Sequence, residues 1–308
     1  MDTFSHLTLS FTTIDPIEAL LACAAAIAIG AWLARKQAQA FKGKAHNQMT
    51  NHDALGFPPV TVAEYGDMRF LHLGTPAVQG AMKINKPFDI HLDYVQRMMA
   101  WLLFTNIDQL HTLHAMQLGL GAASLTKFTH HYLGMQTTAV ELNPQVISTC
   151  KRWFNLPENN ATLQVVLLDA FNASQEPQWQ GKIDALQVDL YDQDASHPTI
   201  DSEVFYQNCR NMLTPQGCMT VNLFGKSMNY AKSLEKICAV FGANAVWAFK
   251  PTTAGNTIVL AFRTPCTTNI EALQAQAQAI EARWPLPATK WLKLLSPVKV
   301  DMPSAIER

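Results

Sequence analysis

The sequence lacks several patterns that would assign a protein to a class directly. Its 308 residues carry 23 basic and 24 acidic side chains, so no overall field of one sign favours nucleic acid or an anionic membrane. The six cysteines show no C-x-x-C or other metal-ligand spacing, so we expect reduced, apolar thiols, a cytoplasmic location and no metal. Internal repeats and low-complexity tracts are also missing. The 48% of hydrophobic residues that remain are enough for a large core.

Residues 1–48 form a different kind of sequence. Ile17 to Ala34 is Ala-rich and nearly all apolar, and its length is close to the roughly 17–25 residues that span a bilayer. Basic residues follow it, which would hold the rest of the chain at the inner face of the cytoplasmic membrane. The alternatives are a soluble Ala-rich helix, or an extension before a functional start near Met49. No convincing signal-peptide cleavage site follows the apolar run.

Residues 57–86 predict a small β-sheet module. Strand-like runs flank Gly66-Asp67, a dipeptide that is typical of a hairpin turn. The predicted strands are Val60–Tyr65, Met68–Leu73 and Ala77–Ile84.

From residue 87 onward, predicted strands and helices alternate, which indicates right-handed βαβ units and a parallel sheet. The strands are 113–118, 136–142, 162–168, 183–189, 218–224, 245–250 and 256–263. The helices are 89–104, 122–133, 144–154, 201–213, 228–241 and 269–283. The short loop Thr252–Gly255 leaves no room for a helix, so the last two strands must pair antiparallel. The predicted fold is therefore α/β, a class I methyltransferase-like Rossmann fold with a seven-stranded sheet that ends in an antiparallel hairpin.

The predicted strands end in glycines or acids, and ligands of open parallel sheets bind at that edge. Gly119 and Gly121 follow the first strand, where small residues and helix N–H groups let a ligand approach the backbone. Glu141 ends the next strand twenty residues later, a position from which an acid bonds ribose hydroxyls. NAD enzymes share these features, although Ser124 stands where the third dinucleotide glycine would be. We therefore expect a nucleoside-containing ligand.

Further acids separate the chain from nicotinamide enzymes. Asp169, followed by the small Ala170, suits recognition of an adenine amino group. Asp189 begins the segment Asp189-Leu-Tyr-Asp192-Gln-Asp194, and such a cluster of like charges is expected to attract a cation. In an extended chain Asp189 and Tyr191 share a face, so a turn must bring Asp192 to the crevice. The sequence therefore predicts a polar or cationic co-substrate.

These motifs resemble the spermidine synthase (polyamine aminopropyltransferase) family, and within it the divergent bacterial spermidine synthase-like branch. The resemblance runs from about Tyr65 to Arg263. It is carried by Gly119–Leu125, Val140–Pro144, Leu168–Ala170, Asp189–Asp192 and Ser202–Tyr206, together with Val78–Met82 and Tyr94–Met98 upstream.

The resemblance implies a donor, decarboxylated S-adenosylmethionine, and no tightly bound cofactor. Glu141 would hold the ribose, and Asp169 with Ala170 would hold the adenine. Gly119 and Gly121 would border the donor, and Gln79 would lie near its sulfonium side.

For the acceptor, the resemblance implies an amine such as putrescine. Asp189 would take a proton from the attacking amine, because an ammonium group is not a nucleophile. Asp192, with help from Tyr94, would hold the amine chain, and we place Tyr191 with these amine-binding residues.

Two stretches depart from the family pattern. The usual Gly-Gly-Gly-Asp-Gly loop reads Gly-Leu-Gly-Ala-Ala here, so the acid that binds the propylamine end of the donor is gone. The usual Pro-x-Gly-Pro-Ala segment after Asp192 is replaced by residues 193–198, which puts the identity of the acceptor in doubt. His197 in this loop is most simply a solvated side chain.

Four functions remain in competition at this level. The first is aminopropyl transfer. The second is methyl transfer from intact S-adenosylmethionine, favoured by the missing loop acid. The third is a non-catalytic nucleoside-binding protein or a membrane-tethered interaction protein, and the fourth is an NAD-dependent oxidoreductase. As partners we expect a small-molecule amine, a homodimer by family resemblance, and no nucleic acid.

Overall fold

The computed structural model describes residues 56–191, 200–224 and 227–298. The predicted apolar span 17–34 lies outside these ranges. Within them, no helix is both long enough and apolar enough to cross a membrane. The five cysteines found there are free thiols.

The first three strands form the small antiparallel sheet: β1 (Val60–Tyr65), β2 (Met68–Leu73) and β3 (Gly80–Lys83). Tyr65 pairs with Met68 across the predicted Gly66-Asp67 turn. The third strand is shorter than predicted, since it begins only at Gly80. Gly80 lies against the backbone of Ala122, and an added Cβ would come within 2.6 Å of the Ala122 nitrogen. A residue without a side chain therefore lets this sheet pack against the glycine loop.

Eight strands of the described residues form the large sheet. Their bounds are β4 (His114–Leu118), β5 (Gln136–Glu141), β6 (Leu163–Leu167), β7 (Ile183–Val188), β8 (Leu213–Phe224), β9 (Val246–Phe249), β10 (Asn256–Phe262) and β11 (Leu295–Pro297). The full order is β11-β9-β10-β8-β7-β4-β5-β6. Strands β4 to β8 pair parallel, and β9 and β10 form the predicted antiparallel hairpin.

The prediction of seven strands missed β11. This edge strand has only three residues and pairs antiparallel with β9, where Leu295 lies opposite Phe249. Three residues are too few to show a period of two in the sequence, so the strand is defined by its pairing alone.

Helices cover both faces of the large sheet. Their bounds are α1 (Asp93–Arg97), α2 (Ser124–His131), α3 (Pro144–Trp153), α4 (Ala170–Ala173), α5 (Glu203–Met212), α6 (Ser227–Phe241), α7 (Ile270–Arg283) and α8 (Ala288–Trp291). The prediction of a single helix over residues 89–104 is wrong. Only α1 is α-helical there, and a 3₁₀ segment, Ala100–Phe104, follows it. Met98 to Leu102 are all at most 1% exposed, so packing on every side overrides the one-faced helical pattern.

Three cores follow from this arrangement. Strand residues alternate between the two faces of the large sheet, so Ala115 belongs to one core and Met116 to the other. A third core, which includes Leu71, Met82 and Phe154, joins the small sheet to the region of α3. Packing of the small sheet therefore sets the position of the residues that follow β3 and precede α1.

The chain order reverses between β4 and β7, which makes this pair the topological switch point of the sheet. The Asp189 amide donates to the Leu118 carbonyl at 3.0 Å, so the ends of the two strands stay together. Gly119 has φ +88°, and a Cβ there would overlap the Asp189 carbonyl oxygen. This glycine is needed for a close approach of two backbones.

Gly119→Ala tests that approach against a matched control. Gly134 also has a positive φ, +63°, but a Cβ added at this position would have no other atom within 4 Å. We expect Gly134→Ala to lower the free energy of unfolding by about 1–2 kcal/mol, the cost of the left-handed conformation. Gly119→Ala should lose a further ~1–3 kcal/mol through overpacking. Equal losses in chemical denaturation would contradict the role given to Gly119.

Candidate active site

A cavity of about 580 Å³ opens at the carboxyl edge of the large sheet, over the switch point. Each of four neighbouring strands places one predicted residue in the wall of this cavity. In spatial order these are Asp189 after β7, Gly119 after β4, Glu141 at the end of β5 and Asp169 after β6. Gln79, Gly121, Ala170 and Tyr191 also line it. The structure therefore brings every predicted donor-site residue to one cavity.

Glu141 is held by the backbone of the glycine loop and of its own turn. Its carboxylate accepts from the Leu120 amide at 3.0 Å and the Asn143 amide at 2.8 Å. Burial raises the pKa of Glu141, and these amides together with that of Leu142 act in the opposite direction. A carboxylate fixed in this way points at the cavity with a defined orientation, as binding a pair of hydroxyl groups requires.

Asp169 has a structural role as well as a place in the cavity wall. One of its carboxylate oxygens accepts from the Asn172 amide at 3.0 Å, which caps the short helix α4. Ala170, the first residue of that helix, lies in the wall beside it. The cap fixes the Asp169 side chain at the edge of the cavity.

Asp189 is half-buried after the end of β7 and has two side-chain donors beside it. Its carboxylate accepts from Asn222 Nδ2 at 2.8 Å and from the Tyr94 hydroxyl. Burial raises the pKa of Asp189, and the two hydrogen bonds partly offset this. Burial and the neighbouring Asp189 charge raise the pKa of Tyr94, which therefore stays a hydrogen-bond donor. A carboxylate with a raised pKa is a better proton acceptor than one in water.

A second cavity, of about 400 Å³, adjoins the first. Gln79 and Tyr191 line both, while Tyr94 and Asn222, the two donors to Asp189, line the second. The Tyr191 hydroxyl donates to the Asn222 carbonyl at 2.7 Å, which fixes this side chain between the cavities. Asp189 therefore lies where the two cavities meet.

The charges that line the two cavities have one sign. Glu141, Asp169 and Asp189 line the first and Asp93 the second, and no Lys, Arg or His is among the described lining residues of either. Walls of one sign raise the local concentration of ligands of the opposite charge. The site is therefore suited to cations. The described residues contain no group of three His, Cys, Asp or Glu that could hold a metal ion.

The glycine loop has no acid in this structure. Ala122 and Ala123 stand at and after the position of the family's aspartate, and both are at most 3% exposed. Ala123 adopts a left-handed conformation, with φ 57°. These residues are packed against the small sheet and the core and do not line the cavity.

Asp192, Asp194 and His197 lie outside the described residues, so their roles stay predictions. Sequence reasoning missed Asn222, a buried polar residue in an otherwise apolar strand, and Asn256, which contacts it from β10. A polar residue within an apolar run was the available signal for Asn222. It also missed the apolar wall that Phe57, Pro58 and Leu71 contribute to the first cavity.

Comparison with known proteins assigns the family. Residues 119–268 match the spermine/spermidine synthase domain. A polyamine aminopropyltransferase of Chromobacterium violaceum is 32% identical over 231 residues, which is 74% of this chain and 86% of that protein. One from Neisseria meningitidis serogroup A is 31% identical over 252 residues, 81% of this chain and 92% of that protein. The chain belongs to the polyamine aminopropyltransferase family. The resemblance read from the motifs is thereby confirmed.

Solved structures agree on the fold of this aminopropyltransferase family member. A probable spermidine synthase from Corynebacterium glutamicum has a TM-score of 0.60 at 16% identity, covering 76% of this chain and 88% of that one. Human methyltransferase-like protein 13, in complex with SAH, has a TM-score of 0.56 at 20% identity, covering 70% and 98%. At these identities the likeness shows the fold alone. The predicted methyltransferase-like Rossmann fold is confirmed.

Asp189→Asn should stabilise the protein near neutral pH. Because the folded-state pKa of Asp189 is raised, its contribution to stability is present in acid and is lost as pH rises through that pKa. The amide cannot ionise, so the variant should melt at a higher temperature than wild type near neutral pH. The difference should vanish below about pH 3, where the carboxyl is protonated in both the folded and the unfolded state.

The control for this prediction is Asp108→Asn, because the Asp108 side chain is 71% exposed. It should change the melting temperature little at any pH. An Asp189→Asn protein that is less stable than wild type near neutral pH would contradict the inferred cost of the buried charge.

Proposed function

We propose that this protein transfers the aminopropyl group of decarboxylated S-adenosylmethionine to an amine. The observation that carries the proposal is the position of Asp189 at the meeting point of two cavities. One cavity has the strand-end acids expected for a nucleoside, and the other adjoins it through Gln79 and Tyr191. A transfer between two substrates needs a proton acceptor at such a junction.

The reaction follows from this arrangement. The amine nitrogen attacks the donor carbon next to the sulfonium, a nitrogen–carbon bond forms, and the carbon–sulfur bond breaks with its electrons moving to sulfur. Methylthioadenosine leaves, and Asp189 accepts the proton that the nitrogen loses. The sulfonium donor is already activated, so positioning supplies most of the acceleration. No metal is required for these steps.

The donor residues keep the roles that the resemblance implies. Glu141 binds the ribose hydroxyls, Asp169 with Ala170 binds the adenine amino group, and Gln79 lies near the sulfonium. These roles are supported by the position of all four residues in the wall of the first cavity and by the fixed orientation of the Glu141 carboxylate. Tyr94 and Tyr191 position the amine, and Asp192 joins them as a prediction from sequence.

The acidic residues of the first cavity support decarboxylated S-adenosylmethionine as the donor. Decarboxylated S-adenosylmethionine is a dication, whereas the intact molecule carries a carboxylate that the acidic walls would repel. Methyl transfer from intact S-adenosylmethionine remains the second candidate, because the loop that should exclude the carboxylate has alanines instead of an acid. We expect calorimetric titration to show tighter binding of the decarboxylated donor. Tighter binding of the intact molecule would favour methyl transfer, and binding of neither would contradict both.

Glu141→Gln should weaken donor binding about 10- to 100-fold, the effect of losing a hydrogen bond to a charged group. Glu158→Gln is the matched control, because Glu158 is an exposed acid outside both cavities. It should leave donor affinity unchanged in the same titration. Equal affinity of wild type and Glu141→Gln would remove the ribose assignment.

Asp189→Asn should lower turnover by about 10²–10⁴-fold, the usual contribution of a positioned base. Donor affinity should change far less, because the amide fills the same space. Release of methylthioadenosine, followed by liquid chromatography at saturating substrates, gives the rate. A variant with full activity would end the general-base proposal and leave the family assignment intact.

A further inference from the structure

A chain of hydrogen bonds runs from Asp189 across two strands, along the wall of the second cavity. Asn222 on β8 donates from Nδ2 to Asp189 and accepts at Oδ1 from Asn256 Nδ2, at 3.1 Å, on β10. Thr252, in the loop before β10, contacts the Asn256 amide oxygen at 3.5 Å. Asn222, Asn256 and Thr252 are at most 8% exposed, and all three residues line the second cavity.

The hydrogen bonds from Thr252 to Asp189 all run in one direction, and a backbone N–H group sets that direction. The amide N–H of Asn256 donates to Thr252 Oγ1 at 3.0 Å, so the Thr252 hydroxyl proton must point elsewhere. It points to the Asn256 side-chain oxygen, which turns Asn256 Nδ2 toward Asn222. Asn222 then has its oxygen occupied and must present its own NH₂ group to Asp189.

The reverse orientation of Asn222 would place its oxygen against the Asp189 carboxylate. Two acceptors would then face each other in a buried site, a costly arrangement. The orientation of one side-chain amide therefore decides whether Asp189 has a donor or a repelling oxygen beside it. The Asp189 carboxylate, which only accepts, favours the donor orientation of Asn222, and the Asn256 amide, which donates to Asn222 Oδ1, favours the same orientation from the other side.

We propose that Asn256 and Thr252 are positioning residues that act through Asn222, fixing its amide so that Asp189 is held as an oriented carboxylate. The proposal deepens the proposed function, since it rests on Asp189 as the proton acceptor. Asn256 is not a catalytic residue in it, because its effect passes through a second side chain.

Other titratable groups near Asp189 come from several elements. Tyr94 donates to it, and Tyr191 lies next to both cavities. Glu141 and Asp169 line the same cavity from neighbouring strand ends, and Asp93 lines the other. All are acids or phenols, so the described lining residues include no basic group that could replace the Asn222 donor.

A double-mutant cycle on the pKa of Asp189 tests the proposal in the full chain. The variants are Asn256→Leu, Asn222→Leu and the double variant, in which two apolar side chains of similar size replace the amide pair. Aspartate carboxyls labelled with carbon-13 are titrated by NMR, and the Asp189 signal is identified by its absence in Asp189→Asn. This readout needs no substrate, so it is valid whichever reaction the site performs.

We expect Asn222→Leu to raise the pKa of Asp189 by about one, because a hydrogen bond to a charged group is lost. Asn256→Leu should raise it by a smaller amount, and by nothing further once Asn222 is already leucine. The acid limb of the kcat/KM profile should move to higher pH in parallel. An unchanged pKa in Asn256→Leu, or the same increase in both backgrounds, overturns the proposal.

Thr252→Val gives a second test that keeps both asparagines. It removes only the hydroxyl, so the Asn256 amide loses its fixed direction and the pKa of Asp189 should rise. Thr257→Val is the matched control, since Thr257 is a buried neighbour of Asn256 whose side chain points to the opposite face of β10. Equal pKa values in Thr252→Val and wild type, or equal increases in both valine variants, overturn the proposal.

Discussion

The site depends on the contact between the carboxyl ends of β4 and β7. One backbone hydrogen bond, from the Asp189 amide to the Leu118 carbonyl, keeps these ends together, and Gly119 allows the approach because it has no side chain. The glycine loop, Asp189 and the first cavity all depend on this contact. Docking of the small sheet, through Gly80 on Ala122, then brings Gln79 to the same opening.

Burying Asp189 costs stability and gives the site its chemistry. In the protein interior the carboxylate is desolvated, so it holds a proton more tightly than it would in water. Tyr94 and Asn222 supply hydrogen bonds that favour the ionised form and so oppose this effect on the pKa. The balance between desolvation and these two donors sets the pKa of Asp189. Such costs are usual at functional sites, where local stability is lost in return for activity.

Under the proposed function, an acidic cavity wall lets one site receive two different substrates. In the proposed reaction the sulfonium donor and the amine acceptor are both cations, and three carboxylates line the first cavity without a described basic residue. Under the proposed function the field of these carboxylates attracts both substrates, and the positions of Glu141, Asp169 and Asp189 distinguish the donor from the acceptor. Aminopropyl transfer differs in this respect from methyl transfer, whose donor carries its own carboxylate.

The strand-end residues could be predicted from the sequence because parallel strands end at one edge. Glu141, Asp169 and Asp189 follow apolar runs, so their meeting required no knowledge of side-chain packing. The break in the helix predicted over 89–104 could not be predicted, because burial on all sides decides it. Contact between Asn222 and Asn256 depends on the register of β8 with β10, which local patterns do not encode.

The most direct test of the account is the identity of the product. The full chain is incubated with an amine and a mixture of intact and decarboxylated S-adenosylmethionine, and the modified amine is analysed by mass spectrometry. The account predicts an aminopropylated amine together with methylthioadenosine, formed from the decarboxylated donor. A methylated product together with S-adenosylhomocysteine would contradict it.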